Sequence, residues 1–335
     1  MKCFASLLCL LLLYMSPGAS AAETFSKAQV TIFIGYGVGG TYYQYAQLFS
    51  RHLGKFLPGQ PTVIVQTMPG AGGIRLLNEA AVRMVADGSA TFIPPDTLVV
   101  SQLLTSGGIQ YDARRFAYIG TADQQNVFLV TKRDTVPSLE ALRAKEHVYM
   151  GSSGAGATGF LIPALAGSLL KLPLKPIGGY EGSRDIILGM ERGELDGSAQ
   201  AWQVWTQARK NWFDGPNSYA VPLIQVGIRP DPNAPDTPLL SALVDPADRS
   251  LVSIFDTIGL VGRSLAMPPA TAPALRDLFR VAFATMTADP LYRSDAAQVQ
   301  LRSSPLDASV LESGITQSIN DADQDVIRRA TLMLQ

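Results

Sequence analysis

Hydrophobic and polar positions along the chain alternate between two periods. From Gln29, "QVTIFIG" is a short β-branched run, the pattern of a strand. "TYYQYAQLFSRHLGKFL" follows with apolar residues at helical spacing and stops near Pro58-Gly59. "PTVIVQTM" predicts a second strand, closed by the turn "PGAGG", and "IRLLNEAAVRMVA" a second helix ending at Asp87-Gly88. "ATFIPP" predicts a third strand, ending at Pro94-Pro95-Asp96. A similar unit restarts at "VFLVTKR", with the helix "SLEALRA" capped by Ser138 and the strand "HVYMG" after it. Then come the glycine loop and helix "SSGAGATGFLIPALAGSLL", the strand and loop "LKPIGGYEG" and the helix "SRDIILGMERGEL". "DGSAQAW" reads as a buried strand or turn, and "YAVPLIQVG" closes this half. "IRPDPNAPDTPLL" reads as a surface connection, and "VAFATMTADPLYRSDAAQ" and "DQDVIRRATLML" as helices covering a sheet. This alternation predicts an α/β protein with mainly parallel, doubly wound sheets. A length of 335 residues favours two lobes over one.

The first residues have a different pattern. Lys2, the apolar run "FASLLCLLLLYM" and Ala19-Ser20-Ala21 match a secretory leader cleaved after residue 21. The run is too short for a membrane anchor. Both cysteines, Cys3 and Cys9, lie inside it, so the exported chain would have no thiol, disulfide or thiolate metal site. His52 and His147 are far apart in sequence, which leaves metal and Ser-His-Asp schemes short of ingredients. A formal net charge of −1 gives no reason to expect a nucleic-acid partner.

Two loops hold G-x-G-x-x-G between strand and helix: Gly35, Gly37 and Gly40, then Gly154, Gly156 and Gly159. A dinucleotide site needs an acidic residue about 20 positions further on to hold the ribose. After the first loop no Asp or Glu occurs until Glu79, inside the second helix. After the second, Glu181 stands 181 − 159 = 22 residues past the last glycine. The motif fails in the first loop, and export also argues against a dinucleotide; no cofactor is expected. Nor does a G-x-S-x-G elbow occur, so no hydrolase is expected. The loops can still hold an anion on helix N-terminal N–H groups. No charged residue lies between Lys27 and Arg51, and with His147 neutral none lies between Glu146 and Lys171. The donors would then be backbone and hydroxyl groups such as Ser152, Ser153 and Thr158, which suits a small carboxylate in a closed cleft. The simpler alternative is that these glycines only form tight turns and let helix and sheet approach.

Several stretches are similar to the periplasmic receptors of tripartite tricarboxylate transporters, the Bug receptors. They are "GVGGTYYQYAQLFSRHL", "VIVQTMPGAGGIRLLNEAA", "FAYIGTADQQNVFLV", "GSSGAGATG", "GGYEGSRDIILGMERGELDG" and "TADPLYRSDA", in family order. The resemblance implies a two-lobed type II periplasmic binding protein fold with two interlobe crossings. Lobe 1 would take residues 22–124 and 229–335, and lobe 2 residues 125–228. It also implies a non-enzymatic, monomeric receptor that captures a small carboxylate-bearing solute and delivers it to membrane transporter subunits. A sensory receptor would need the same clamp. Carried onto this chain, the first-lobe contacts are Tyr36, Val38, Gly39, Gly40 and Tyr43, with Pro95 and Asp96. The second-lobe contacts are Ser152, Ser153, Gly154, Gly156, Thr158, Tyr180, Glu181 and Gly182. The segment Asp196 to Gln200 lies behind or beside them, and Asp196 either faces the cleft or ends the preceding helix. The chain departs from the family at Tyr43, where many members have Asp, and at Gln47, where many have Arg. Trp202, Trp205 and Trp212 read as core aromatics rather than ligand stackers.

Overall fold

The computed structural model describes residues 25–105 and 107–334. The leader expected over residues 1–21 lies outside them. The chain begins with β1 (Gln29–Ile34), α1 (Thr41–His52), β2 (Thr62–Thr67), α2 (Ile74–Val82), β3 (Ala90–Ile93), α3 (Leu98–Leu104) and β4 (Ala117–Thr121). It continues through β5 (Val127–Lys132), α4 (Leu139–Arg143), β6 (Val148–Gly151), α5 (Thr158–Leu170) and β7 (Leu174–Ile177). Next come α6 (Ser183–Glu191), β8 (Gly197–Ala201), α7 (Trp202–Arg209) and β9 (Ala220–Val226). Helices then alternate with β10 (Ser264–Met267) and β11 (Leu306–Asp307). One sheet has the order β11-β4-β10-β3-β1-β2 and the other β7-β6-β8-β5-β9. Each carries its own lobe.

The sheets are mixed rather than mainly parallel. β1 runs parallel to β2 and β3, and β6 parallel to β7 and β8. β10 is antiparallel to β3 and β4, and β5 to β8 and β9. The antiparallel strands are the ones by which the chain enters a lobe, and an antiparallel neighbour needs no helical crossover. Residues 97–126, where the pattern names no element, carry α3 and β4. β4 and β5 are buried throughout, so neither shows the alternation that marks a half-exposed strand.

Side-chain pattern explains how the layers pack. β1 turns Val30, Ile32 and Ile34 inward, and α1 buries Tyr45, Ala46, Leu48 and Phe49. These join Phe279 and Phe283 of the helix Pro273–Ala288 in one core of the first lobe. The three tryptophans are buried beside β5 in the second lobe. The later chain does not stay with the first sheet: Leu240, Leu251, Val252 and Ala330 share a core with Leu129, Leu165 and Ile224, together with Val100 and Leu104 of α3. Among the described residues no helix is long and apolar enough to cross a membrane.

The two crossings, after β4 and after β9, are tied by one arginine. Arg302 reaches Asp231 at 3.0 Å and Asp123 at 3.6 Å. Asp123 is fully buried, and burial pushes its carboxyl up to about 6, against the pull of Arg302 and of the Gln125 amide donated to it. A carboxyl raised on folding contributes stability that is present at low pH and lost as pH rises through its folded pKa. Asp123→Asn is therefore expected to gain stability relative to the wild type between pH 4.5 and pH 7.5. Urea midpoints at the two pH values measure this, and equal offsets at both would refute it.

Candidate functional site

A cavity of about 60 Å³ lies between the lobes. That is room for roughly four to six ordered waters. It sits where β1, β3, β6, β7 and β8 end, the edge at which open α/β sheets bind ligands. From the first lobe Tyr36, Gly37, Gly40, Thr41, Tyr42 and Asp96 line it; from the second Ser153, Ala157, Thr158, Gly182, Ser183 and Gln200. Four helices point their N-termini at it, with the cap positions Gly40 (α1), Ala157 (α5), Gly182 (α6) and Ala201 (α7) all on the wall. None of the four has a side-chain cap. Their first-turn N–H groups and dipoles therefore favour negative charge at this point.

One side chain supplies a full positive charge. Arg263, 1% exposed, lines the cavity, bonds Asp96 and Thr41 at 3.2 Å each, and lies 4.1 Å over the Tyr42 ring. Burial alone would lower its pKa, but Tyr42 and Asp96 outweigh that and raise it, so it stays a cation. Burial raises the Asp96 carboxyl, and Arg263 offsets part of the rise. Among the described residues that line the cavity, two have buried donors without a partner: Arg263 Nε and Gln200 Nε2. A buried donor left unpaired is costly, and both of these residues line the cavity. The expectation that neutral donors alone would meet an anion is corrected here. Arg263 precedes β10, which runs antiparallel to β3, so its amino end arrives where the parallel strands finish. The loops that leave the parallel strands do not contain it, and a rule about strand ends passes over it.

The glycine loops do something else as well. In the structure the lobes are closed on each other through them. Gly37 N donates to Glu181 O at 3.1 Å and Gly72 N to Ser153 O at 3.3 Å. Thr97 and Ser101 hydroxyls both donate to Gly156 O, at 2.5 and 3.2 Å. A Cβ on Gly72 would lie 2.4 Å from Ala157 N, and one on Gly154 would lie 2.7 Å from Gly72 N. These glycines let two backbones touch across the cleft.

Of the residues singled out from the sequence, Tyr36, Gly40, Asp96, Ser153, Thr158 and Gly182 come together on the cavity wall. Gly39 lines a neighbouring chamber. Gly154 and Gly156 face Ala71, Gly72 and Ile74 across the lobe contact. Val38 is 58% exposed, Tyr43 packs against the first core, and Pro95 lies against Gly73. Ser152 is buried and closes its own turn with Gly154, while Tyr180 donates to Glu194. Glu181 is exposed and contributes its backbone carbonyl, and the Asp196 carboxylate accepts from Tyr149 N. Among the described residues no group of three or more His, Cys, Asp or Glu is placed to hold a metal.

No protein-family model matches the chain, and no curated protein matches it by sequence. Solved structures do match in fold. The periplasmic binding protein BugD superposes with a TM-score of 0.70 at 15% identity, over 92% of this chain and 98% of that one. MatC from Rhodopseudomonas palustris with bound malate gives 0.70 at 16%, over 93% and 100%. A second R. palustris protein, with adipate, gives 0.69 at 16%, over 90% and 97%. The chain has the two-lobed α/β fold of periplasmic binding proteins.

Proposed function

We propose that this protein is an extracytoplasmic solute-binding receptor, not an enzyme, which captures a small carboxylate by lobe closure. On this reading the leader over residues 1–21 exports it to the periplasm, where it works as a monomer without cofactor and hands its solute to a tripartite tricarboxylate-type membrane transporter. Lobe 1 comprises residues 22–124 and 229–335, and lobe 2 residues 125–228, with later helices leaning across onto lobe 2. The observation that carries the proposal is the wall of the cavity. Arg263 and Gln200, whose Nε and Nε2 are buried without partners, line it together with four uncapped helix N-termini. That is a seat for a carboxylate. Malate and adipate, held by two neighbours of the same fold, are carboxylates too.

Native mass spectrometry of freshly purified protein is expected to show a co-purified organic acid. Calorimetric titration with a panel of mono-, di- and tricarboxylates and amino acids then identifies binders. Gln200→Leu removes one hydrogen bond to a charged group, worth about 1.5 kcal/mol or more, and is expected to weaken the best ligand at least about tenfold. No carboxylate binding to the wild type, or unchanged binding to Gln200→Leu, would count against the seat.

A further inference from the structure

The two lobes are joined a second time, away from the glycine loops. Tyr45 stands one helical turn past Thr41 on α1, and Gln203 is the second residue of α7. Both are buried, and neither lines the cavity. The Tyr45 hydroxyl donates to Gln203 Oε1 at 2.8 Å, and the Gln125 amide donates to the same oxygen at 2.8 Å. Gln203 Nε2 in turn donates to Gln300 O at 2.9 Å. One amide of the second lobe thus holds α1, the first crossing and the segment that leads into Arg302. We propose that Gln203 is the joint about which the lobes turn. It is a positioning residue that touches no ligand and fixes the angle at which the N-termini of α1 and α7 meet the seat. The inference rests on the reading that the lobes open and close, and not on which solute they enclose.

The partners of Gln203 lie at the crossings. Gln125 is in the first crossing, where its amide also donates to Asp123. Arg302, two residues past Gln300, spans Asp123 and Asp231, one on each crossing. Atoms beside an axis of rotation stay together while atoms far from it separate. The glycine contacts, Gly37 N to Glu181 O and Gly72 N to Ser153 O, join loops that belong to neither crossing. Pulling α1 away from α7 at the joint would strand the Gln203 amide, which is costly for a buried group, whereas turning about it keeps its bonds. Gln300 shows the constraint in its backbone: its φ is +57°, a left-handed value that side chains with a Cβ avoid, and its carbonyl is the one that Gln203 holds. Without the joint the parted lobes gain freedom to twist and slide, and that entropy raises the population of the open form.

The experiment is amide hydrogen exchange on the ligand-free protein, as wild type, Gln203→Met, Tyr45→Phe and the control Thr206→Ala. Thr206 is also on α7, but its hydroxyl donates only to carbonyls of its own helix. The Gly37 and Gly72 amides report opening, because each bonds across the cleft. In the wild type both are expected to exchange faster than the buried strands β3 and β8, since opening is local. In Gln203→Met they are expected to exchange at least about fivefold faster than in the wild type, the equivalent of one hydrogen bond. Tyr45→Phe, which removes only a hydroxyl, is expected to move them the same way by about two- to threefold, and Thr206→Ala to leave them alone. A residue that only supported the fold would speed exchange in β3 and β8 and leave Gly37 and Gly72 as they are. Unchanged rates at these two glycines in the variants overturn the proposal and leave lobe closure standing, and Tyr45→Phe decides alone if Gln203→Met does not fold. An equal effect of Thr206→Ala also overturns it. If the two wild-type amides exchange only as slowly as β3 and β8, the lobes do not part without ligand, and closure and joint both fall.

Discussion

Arg263→Met should destabilise the protein by about 3–5 kcal/mol, the usual cost of removing one partner from a buried ion pair. The magnitude reflects the groups left behind by the change. Asp96 is 6% exposed and its nearest cation is gone, and Tyr42 loses the guanidinium that covers its ring. Removing the second charge as well tests that cause. Asp96→Asn/Arg263→Met should recover most of the loss, because no uncompensated charge is then buried. The pH dependence has a definite sign. Burial already raises the Asp96 carboxyl, and without Arg263 it rises further. A carboxyl raised on folding is least costly at low pH, so the deficit of Arg263→Met should be smaller at pH 4.5 than at pH 8. Urea denaturation of the wild type, the single variants and the double variant at both pH values gives the full cycle. A deficit below about 1 kcal/mol, or a double variant no better than Arg263→Met alone, would mean that the pair does not support the cleft. Ligand binding should be lost in Arg263→Met even at low pH, since the cation that lines the cavity goes with the side chain.

How much of this could be read from the sequence depends on periodicity. β1, α1, β2 and α2 show it plainly, because each has one face more buried than the other. β4 and β10 do not, because both are buried along their whole length and flanked by strands on either side. The glycine loops announce themselves as places of close approach, yet the partner is hidden. Whether Gly72 faces a phosphate, a carboxylate or the backbone at Gly156 depends on a chain segment more than eighty residues away. The site divides in the same way. Tyr36, Asp96 and Thr158 lie just past parallel strands, within reach of a rule about strand ends. Arg263 lies before an antiparallel one, and only the pairing of β10 with β3 brings it to the same edge. Gln200 lies within β8, and nothing local distinguishes its buried amide from one that points to solvent.

Gly72→Ala should weaken ligand binding about 30- to 100-fold while Gly59→Ala leaves it unchanged. The two glycines are matched in backbone, with φ of +67° and +73°. Either alanine therefore carries a similar left-handed penalty of about 1 kcal/mol, and the two variants should lose similar stability without ligand. They differ in what lies ahead of the new methyl group. At Gly59 there is nothing within 4 Å, whereas at Gly72 the methyl would meet Ala157 N at 2.4 Å and Gly156 C at 2.7 Å. Those atoms are backbone of the opposite lobe, so the clash exists only when the cleft is closed. Relief requires the lobes to part. Parting breaks the bond from Gly72 N to Ser153 O and the hydroxyl bonds from Thr97 and Ser101 to Gly156 O. Three bonds at about 0.7–0.9 kcal/mol each correspond to a population shift of roughly 30- to 100-fold toward the open form. To the extent that the ligand-free protein in solution is open, that shift appears in full as lost affinity, because a ligand enclosed by both lobes binds only the closed state. Gly39→Ala provides a graded comparison. Its methyl would meet the movable side chain of Arg184 at 3.1 Å rather than backbone, so its loss should be well below that of Gly72→Ala. Calorimetry gives the affinities, and small-angle scattering with saturating ligand gives the closure. Full compaction of Gly72→Ala with wild-type affinity would show that the glycine contact across the cleft is not what holds the lobes together.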